Sequence, residues 1–152
     1  MSHLNSRYSK ILIGLDGSDD SIKAANDAVA IAKLHGAKLI TVHVIPSKVT
    51  EGYSSSTTAP TSTEYSKRSV EAAETWFGKI KRNAGDAGVE VETKVISSGY
   101  SVGQVIVDLA ERENVDLIVV GTRGMTGFKK MLLGSVALEV VTYSDCSVMV
   151  VK

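Results

Sequence analysis

The sequence predicts an α/β fold in three layers, an open sheet of five parallel strands with four helices on its two faces. Short apolar runs alternate along the chain with segments whose apolar residues recur at helical spacing. That alternation demands parallel pairing, right-handed crossovers and helices on both sides. In addition, the run DLIVV (116–120) feeds a glycine-rich stretch, GTRGMTGFKKMLLGS (121–135), which leads into another helical pattern, the layout of a strand delivering a loop to a helix N-terminus. The length of 152 residues suits one domain with an ordinary core, burying roughly 68–70% of the unfolded surface.

Each element follows from its residues. ILIGL (11–15) reads as a short buried strand, and Ser18 with Asp19 and Asp20 behind it makes a helix start with acids in the first turn. Ile22, Ala25, Val29 and Ala32 share one face of that helix, which ends near His35 and Gly36. KLITVHVI (38–45) is the second strand. Residues 46–63, rich in Ser and Thr and without apolar period, predict a long, exposed, mobile loop. Thr61 with Glu64 reads as a capping box, opening a helix whose Val70, Ala73, Phe77, Ile80 and Ala84 form a stripe that ends near residues 85–88. VEVETKVI (89–96) alternates with period two, so one face should be wet and the strand should lie at a sheet edge. Ser101 and Gln104 form a second capping box, and Val102, Val105, Ile106 and Leu109 the stripe of a third helix. DLIVV, the loop, a helix from about 135 to 143 and CSVMVV (146–151) complete the set.

Composition narrows the partners. Seventeen basic and seventeen acidic residues give a formal net charge of zero, and without a block of like charge neither a nucleic-acid arm nor a basic membrane surface is expected. Small molecules and proteins are the favoured partners. The one cysteine, Cys146, cannot form an internal disulfide and reads as a small buried apolar residue. The early segment lacks the order of a signal peptide and no apolar run reaches membrane-spanning length, so the expectation is a cytoplasmic, single-domain protein over 1–152 with a tail at 1–8. His43 reads as a strand side chain, His35 as a favourable charge at a helix C-terminus and His3 as a tail residue. No metal cluster, catalytic triad or carboxylate pair can be assembled from these positions.

The glycine-rich stretch is suited to phosphate, because glycines turn backbone N–H groups toward a ligand and the first N–H groups of a helix lack internal partners. It is neither G-x-x-x-x-G-K-(S/T) nor G-x-G-x-x-G, so neither the Walker A loop nor the dinucleotide fingerprint applies. What stands there is Gly121, two residues, Gly124, nine residues, Gly134, then Ser135. This resembles the G-x2-G-x9-G-(S/T) signature of the ATP-binding branch of the universal stress protein family. ILIGLDGSDDS (11–21), KLITVHVI and CSVMVV are similar to that family's first, second and last strands, so the resemblance runs from about residue 8 to the end.

The resemblance implies a Rossmann-like adenine-nucleotide-binding fold with strand order 3-2-1-4-5. The same order brings the DGS turn (16–18) and the glycine loop into one crevice and leaves the third strand at an edge. It implies ATP with Mg2+ as ligand. Asp16 would lie near the ribose and the phosphate-bound cation, as the Mg2+ ligand; Gly14 would let the backbone approach the nucleotide, and the main chain of Val44 would meet adenine. Gly121, Thr122, Arg123, Gly124, Gly134, Ser135 and Val136 would form the phosphate loop. Plainer roles stand beside these: Asp16 as the start of a turn, Gly14 as close packing, Ser135 as a helix N-cap, and Lys129 and Lys130 as solvated loop surface. The resemblance also implies a homodimer through the last strand, an edge with no blunting residue inside it. The function implied is a nucleotide-dependent stress-response or signalling module with a protein partner the sequence does not name. The alternative is a slow ATP hydrolase or an adenylate-using enzyme on the same fold.

Overall fold

A computed structural model describes residues 7–47, 62–122 and 133–152. The elements run β1 (Lys10–Gly14), α1 (Asp19–His35), β2 (Lys38–Pro46), α2 (Ser62–Asp86), β3 (Val91–Ser98), α3 (Val102–Arg112), β4 (Leu117–Gly121), α4 (Ser135–Tyr143) and β5 (Ser147–Val151). All four pairings are parallel and the strand order is β3-β2-β1-β4-β5, as expected. Thr61, most of the 46–63 loop, Arg123, Gly124, Lys129, Lys130 and His3 lie outside the described residues.

Because successive side chains of a strand point to opposite faces, the apolar runs of β1 and β4 feed two cores at once. Ile11, Ile13 and Val119 pack under α1 and α2 with Ala24, Ala28, Phe77 and Ile80. Leu12, Ile118 and Val120 pack under α3 and α4 with Ile106, Leu109, Ala137 and Val140. Ile11, Leu12 and Ile13 retain no exposed surface, and burial of each such side chain contributes about 1.5–3 kcal/mol. The chain therefore leaves β1 onto one face and β4 onto the other, and their carboxyl ends diverge at the point where the strand order reverses.

The helix ends are capped as their residues dictate. The Ser18 hydroxyl accepts from the Ser21 N–H at the start of α1, and Ser101 accepts from the Gln104 N–H at the start of α3. Gly36, at φ 65, closes α1, with Ala37 N–H reaching Ala32 O at 2.9 Å. At the opposite rim from the glycine loop, Asp116 clasps the start of β1: Oδ2 accepts from the Ser9 N–H (2.9 Å) and Oγ (2.8 Å), and Oδ1 from the Lys10 N–H (3.1 Å). Burial alone would raise this carboxyl, but the donors of Ser9 and Lys10 outweigh it and hold it below its ordinary value.

Three expectations need correction. The third strand begins at Val91 rather than Val89, because Gly88 at φ 73 and Val89, whose N–H bonds Ala84 O at 2.8 Å, form the closing turn of α2. Val89 thus anchors a helix end. The strand is an edge, with Glu92 bridged to Lys38 (3.2 Å) and Lys94 (3.0 Å), and these charges blunt it against pairing. Lys94 foremost, then Lys38, lowers the Glu92 carboxyl. Cys146 is half-buried and precedes β5, which starts at Ser147. Tyr8, assigned to the tail, sets its ring edge against His35 and packs on the core.

Candidate functional site

The turn after β1 is built by its own polar side chains. Asp16 Oδ1 accepts from the Ser18 N–H at 2.9 Å and the Ser18 hydroxyl at 2.5 Å, and the Ser18 oxygen in turn caps α1. The turn-forming role of Asp16 is thus realised by one oxygen; no donor among the described residues reaches the other. Gly17 sits at φ 83, and a Cβ there would stand 2.2 Å from Trp76 Cζ2, so any side chain at this position strains the backbone and forces the indole or the turn to shift. Trp76 also meets the His43 imidazole edge to face at 5.2 Å, and His43 Nδ1 donates to Leu15 O at 2.7 Å. A tryptophan from α2 and a histidine from β2 therefore hold the DGS turn in place.

The carboxyl end of β4 is tied in three directions at Thr122, which is 3% exposed. Its N–H donates to Val151 O (2.9 Å), its hydroxyl to Asp20 Oδ2 (3.1 Å), and its carbonyl accepts from the Gly134 N–H (2.5 Å). The last of these bonds closes the base of the glycine-rich segment. Gly134, extended at φ −71 and ψ 168, is the N-cap of α4 and supplies no side-chain cap. Ser135, expected as N-cap, is instead the first helical residue and Val136 the second, because Gly134 still carries the extended backbone that flanks the helix. Among the described residues no side-chain oxygen caps the opening N–H groups of α4.

Two glycines carry packing duties, one foreseen as an alternative at Gly14 and one not foreseen at Gly121. Gly121 was expected to open the phosphate loop that follows the DLIVV strand. It is the last residue of β4, and a Cβ there would meet Asp20 C and Cβ at 2.9 Å, so it admits the first turn of α1 against the strand. Gly14 likewise lies under α3, its missing Cβ 2.9 Å from Ile106 Cδ1. Neither fact bears against a ligand above the rim.

Gly14, Asp16, Val44, Gly121, Thr122, Gly134, Ser135 and Val136 are gathered at the carboxyl ends of β1, β2 and β4 or on the element that follows. Arg123 and Gly124 lie outside the described residues. Trp76, Asp20 and the bridging role of His43 were missed. Trp76 was legible in part: it shares the helical stripe of Ala73, Phe77 and Ile80, and it is the only tryptophan.

Fold and rim together define an open α/β protein with an anion-suited helix N-terminus at its topological switch point. The chain matches the Universal stress protein family over residues 7–152. It is 37% identical over 145 residues to universal stress protein MJ0531 of Methanocaldococcus jannaschii, covering 95% of this chain and 82% of that one. Among solved structures it is similar to the universal stress protein UspA of Lactobacillus plantarum (TM-score 0.85, 25% identity, 97% and 100% of the two chains). It is also similar to a universal stress protein in complex with cAMP (TM-score 0.68, 26% identity, 95% and 96%). The chain belongs to the universal stress protein family. Among the described residues no helix is long and apolar enough to cross a membrane.

Proposed function

We propose that this protein binds ATP with Mg2+ at the rim formed by β1, β2, β4 and the start of α4, and acts in the cytoplasm as a nucleotide-dependent stress-response module. The observation that carries this reading is the N-terminus of α4, which no side chain among the described residues caps and which follows a glycine-rich segment whose base is closed by the Thr122–Gly134 bond. Several charge-assisted bonds of about 1.5–3 kcal/mol each can supply the roughly −8 kcal/mol of micromolar affinity after the ordering cost. The similar protein solved with cAMP supports an adenine nucleotide as the class of ligand. Phosphates would be met by the backbone of Gly121, Arg123 and Gly124 and by Ser135 and Val136, while Thr122 and Gly134, whose N–H groups are spent on Val151 O and Thr122 O, would shape the loop, with Gly14 giving the nucleotide room.

Asp16 suits a Mg2+ ion held jointly with phosphate. One carboxylate oxygen is committed to Ser18 while the other is turned to no protein donor among the described residues, and Mg2+ is commonly bound by one or two carboxylates plus phosphate and water. The ion would neutralise phosphate charge there.

Mass spectrometry of ligand released from freshly purified protein, followed by calorimetry with ATP, tests the reading. The expected result is adenine nucleotide in the released fraction and micromolar or tighter binding that persists over hours without turnover. No heat and no thermal shift at millimolar ATP refute it, and steady release of ADP would move the protein to the hydrolase class.

A further inference from the structure

The ladder between β1 and β2 stops one rung early, and a side chain stops it. Lys38 N–H donates to Ser9 O, and Leu15 N–H to Val42 O, in a register that pairs Lys10 with Lys38 and Gly14 with Val42. In a parallel strand the N–H and C=O of one residue point to the same side, alternating along the chain. Leu39 and Ser47 bond toward β3, Lys38 and Val42 toward β1, and Val44 therefore also faces the β1 side. By the same offset its N–H is due to meet the carbonyl of Leu15. That carbonyl instead accepts from His43 Nδ1 at 2.7 Å, and no backbone bond of Val44 on that side is formed among the described residues.

We propose that His43 is the positioning residue for the base of the bound nucleotide. By occupying the Leu15 carbonyl it holds the Val44 N–H and C=O on the rim as a donor and an acceptor side by side. That pair complements the N1 acceptor and 6-amino donor of adenine, and it opposes the N1–H and 6-oxo groups of a hypoxanthine or guanine base. The imidazole cannot turn away: it is 9% exposed and Trp76 stands edge-on against it, itself seated on Gly17. Since a carbonyl only accepts, the proton is on Nδ1. The inference rests on the adenine-nucleotide reading of the site and adds to it the residue that sets base selectivity.

The test compares parent, His43→Phe, which keeps an aromatic ring against Trp76 without the donor, and His43→Asn, whose amide can stand in for the Nδ1 donor. Affinities are measured for ATP, for inosine triphosphate and for inorganic tripolyphosphate, which has no base. His43→Phe is expected to lose about tenfold in ATP affinity and most of the preference for ATP over inosine triphosphate, with tripolyphosphate unchanged, and His43→Asn to recover the preference. A folded His43→Phe with the parent's preference overturns the proposal, as does an equal loss for all three ligands. If His43→Phe does not fold, amide exchange in the ligand-free parent decides: Val44 should exchange at least tenfold faster than Val42, and equal protection of the two overturns the proposal. A parent that exchanges as expected but binds neither ATP nor tripolyphosphate refutes the nucleotide reading instead.

Discussion

Replacing Gly17 by alanine places a methyl group where Trp76 already stands. The added Cβ would lie 2.2 Å from Cζ2, 2.7 Å from Cε2 and 2.9 Å from Cη2 of the indole, and the backbone would have to keep φ 83. The left-handed backbone costs an alanine about 1–2 kcal/mol and the overpacking about 1–3 kcal/mol, so the expected loss is about 2–5 kcal/mol. At this chain length each kcal/mol lowers the melting temperature by about 2–4 °C, giving a drop of at least about 4 °C. Urea unfolding followed by far-ultraviolet circular dichroism measures the loss without depending on the tryptophan. In a Trp76→Leu background the collision disappears, and the cost of Gly17→Ala should fall to the backbone share of about 1–2 kcal/mol. A Gly17→Ala variant within about 0.5 kcal/mol of the parent refutes the reasoning, as does an identical cost in the two backgrounds.

Asp116→Asn should destabilise the fold by about 1–2 kcal/mol at pH 7 through its weakened bonds to Ser9 and Lys10. Because the folded carboxyl is held below its unfolded value of about 3.9, its contribution is present above that pH and lost as pH falls through the folded value. Urea midpoints of the two proteins should therefore converge in acid, and a constant gap argues against the clasp. Gly134→Val should abolish ATP binding with little change in melting temperature, since φ −71 and ψ 168 suit valine but its branches stand where phosphate would approach; parent-like binding removes the loop from the site. Asp16→Ala should weaken binding more with Mg2+ than without, and equal losses would contradict a cation role. The edge of β5 should carry a homodimer: Val151 O bonds Thr122 toward β4, so by alternation Val148 and Val150 present their backbone outward. Val150→Pro removes one outward N–H and should yield monomers by light scattering; a parent already monomeric at high micromolar concentration sinks the idea.

Strand order was legible because the chemistry of the chain sits in two turns, 16–18 and 121–135, and one order places both in a single crevice. Helix starts at Ser18 and Ser101 were legible because a cap is a local event, spanning three residues. What stayed hidden depends on partners far away in the chain. Gly121 needs its missing Cβ because of Asp20, and Gly17 because of Trp76, neither of which a periodicity can announce. His43 looked like any strand residue until the strand beside it ended at Gly14 and left the Leu15 carbonyl for its ring. The slip in β3 has the opposite cause: Val89 matched the alternation of the strand, and the closing turn of α2 claimed it first.

The central position of β1 has a consequence for synthesis on the ribosome. The strand pairs with β2 on one side and β4 on the other, so one partner strand is encoded soon after it and the other only from Leu117 onward. At about 5–20 residues per second the nascent chain waits several seconds between the two. Throughout that interval a strand apolar on both sides has one bare flank. Only β4 covers that flank, which makes the newborn β1–α1–β2 unit, rather than the finished sheet, the form most in need of a chaperone.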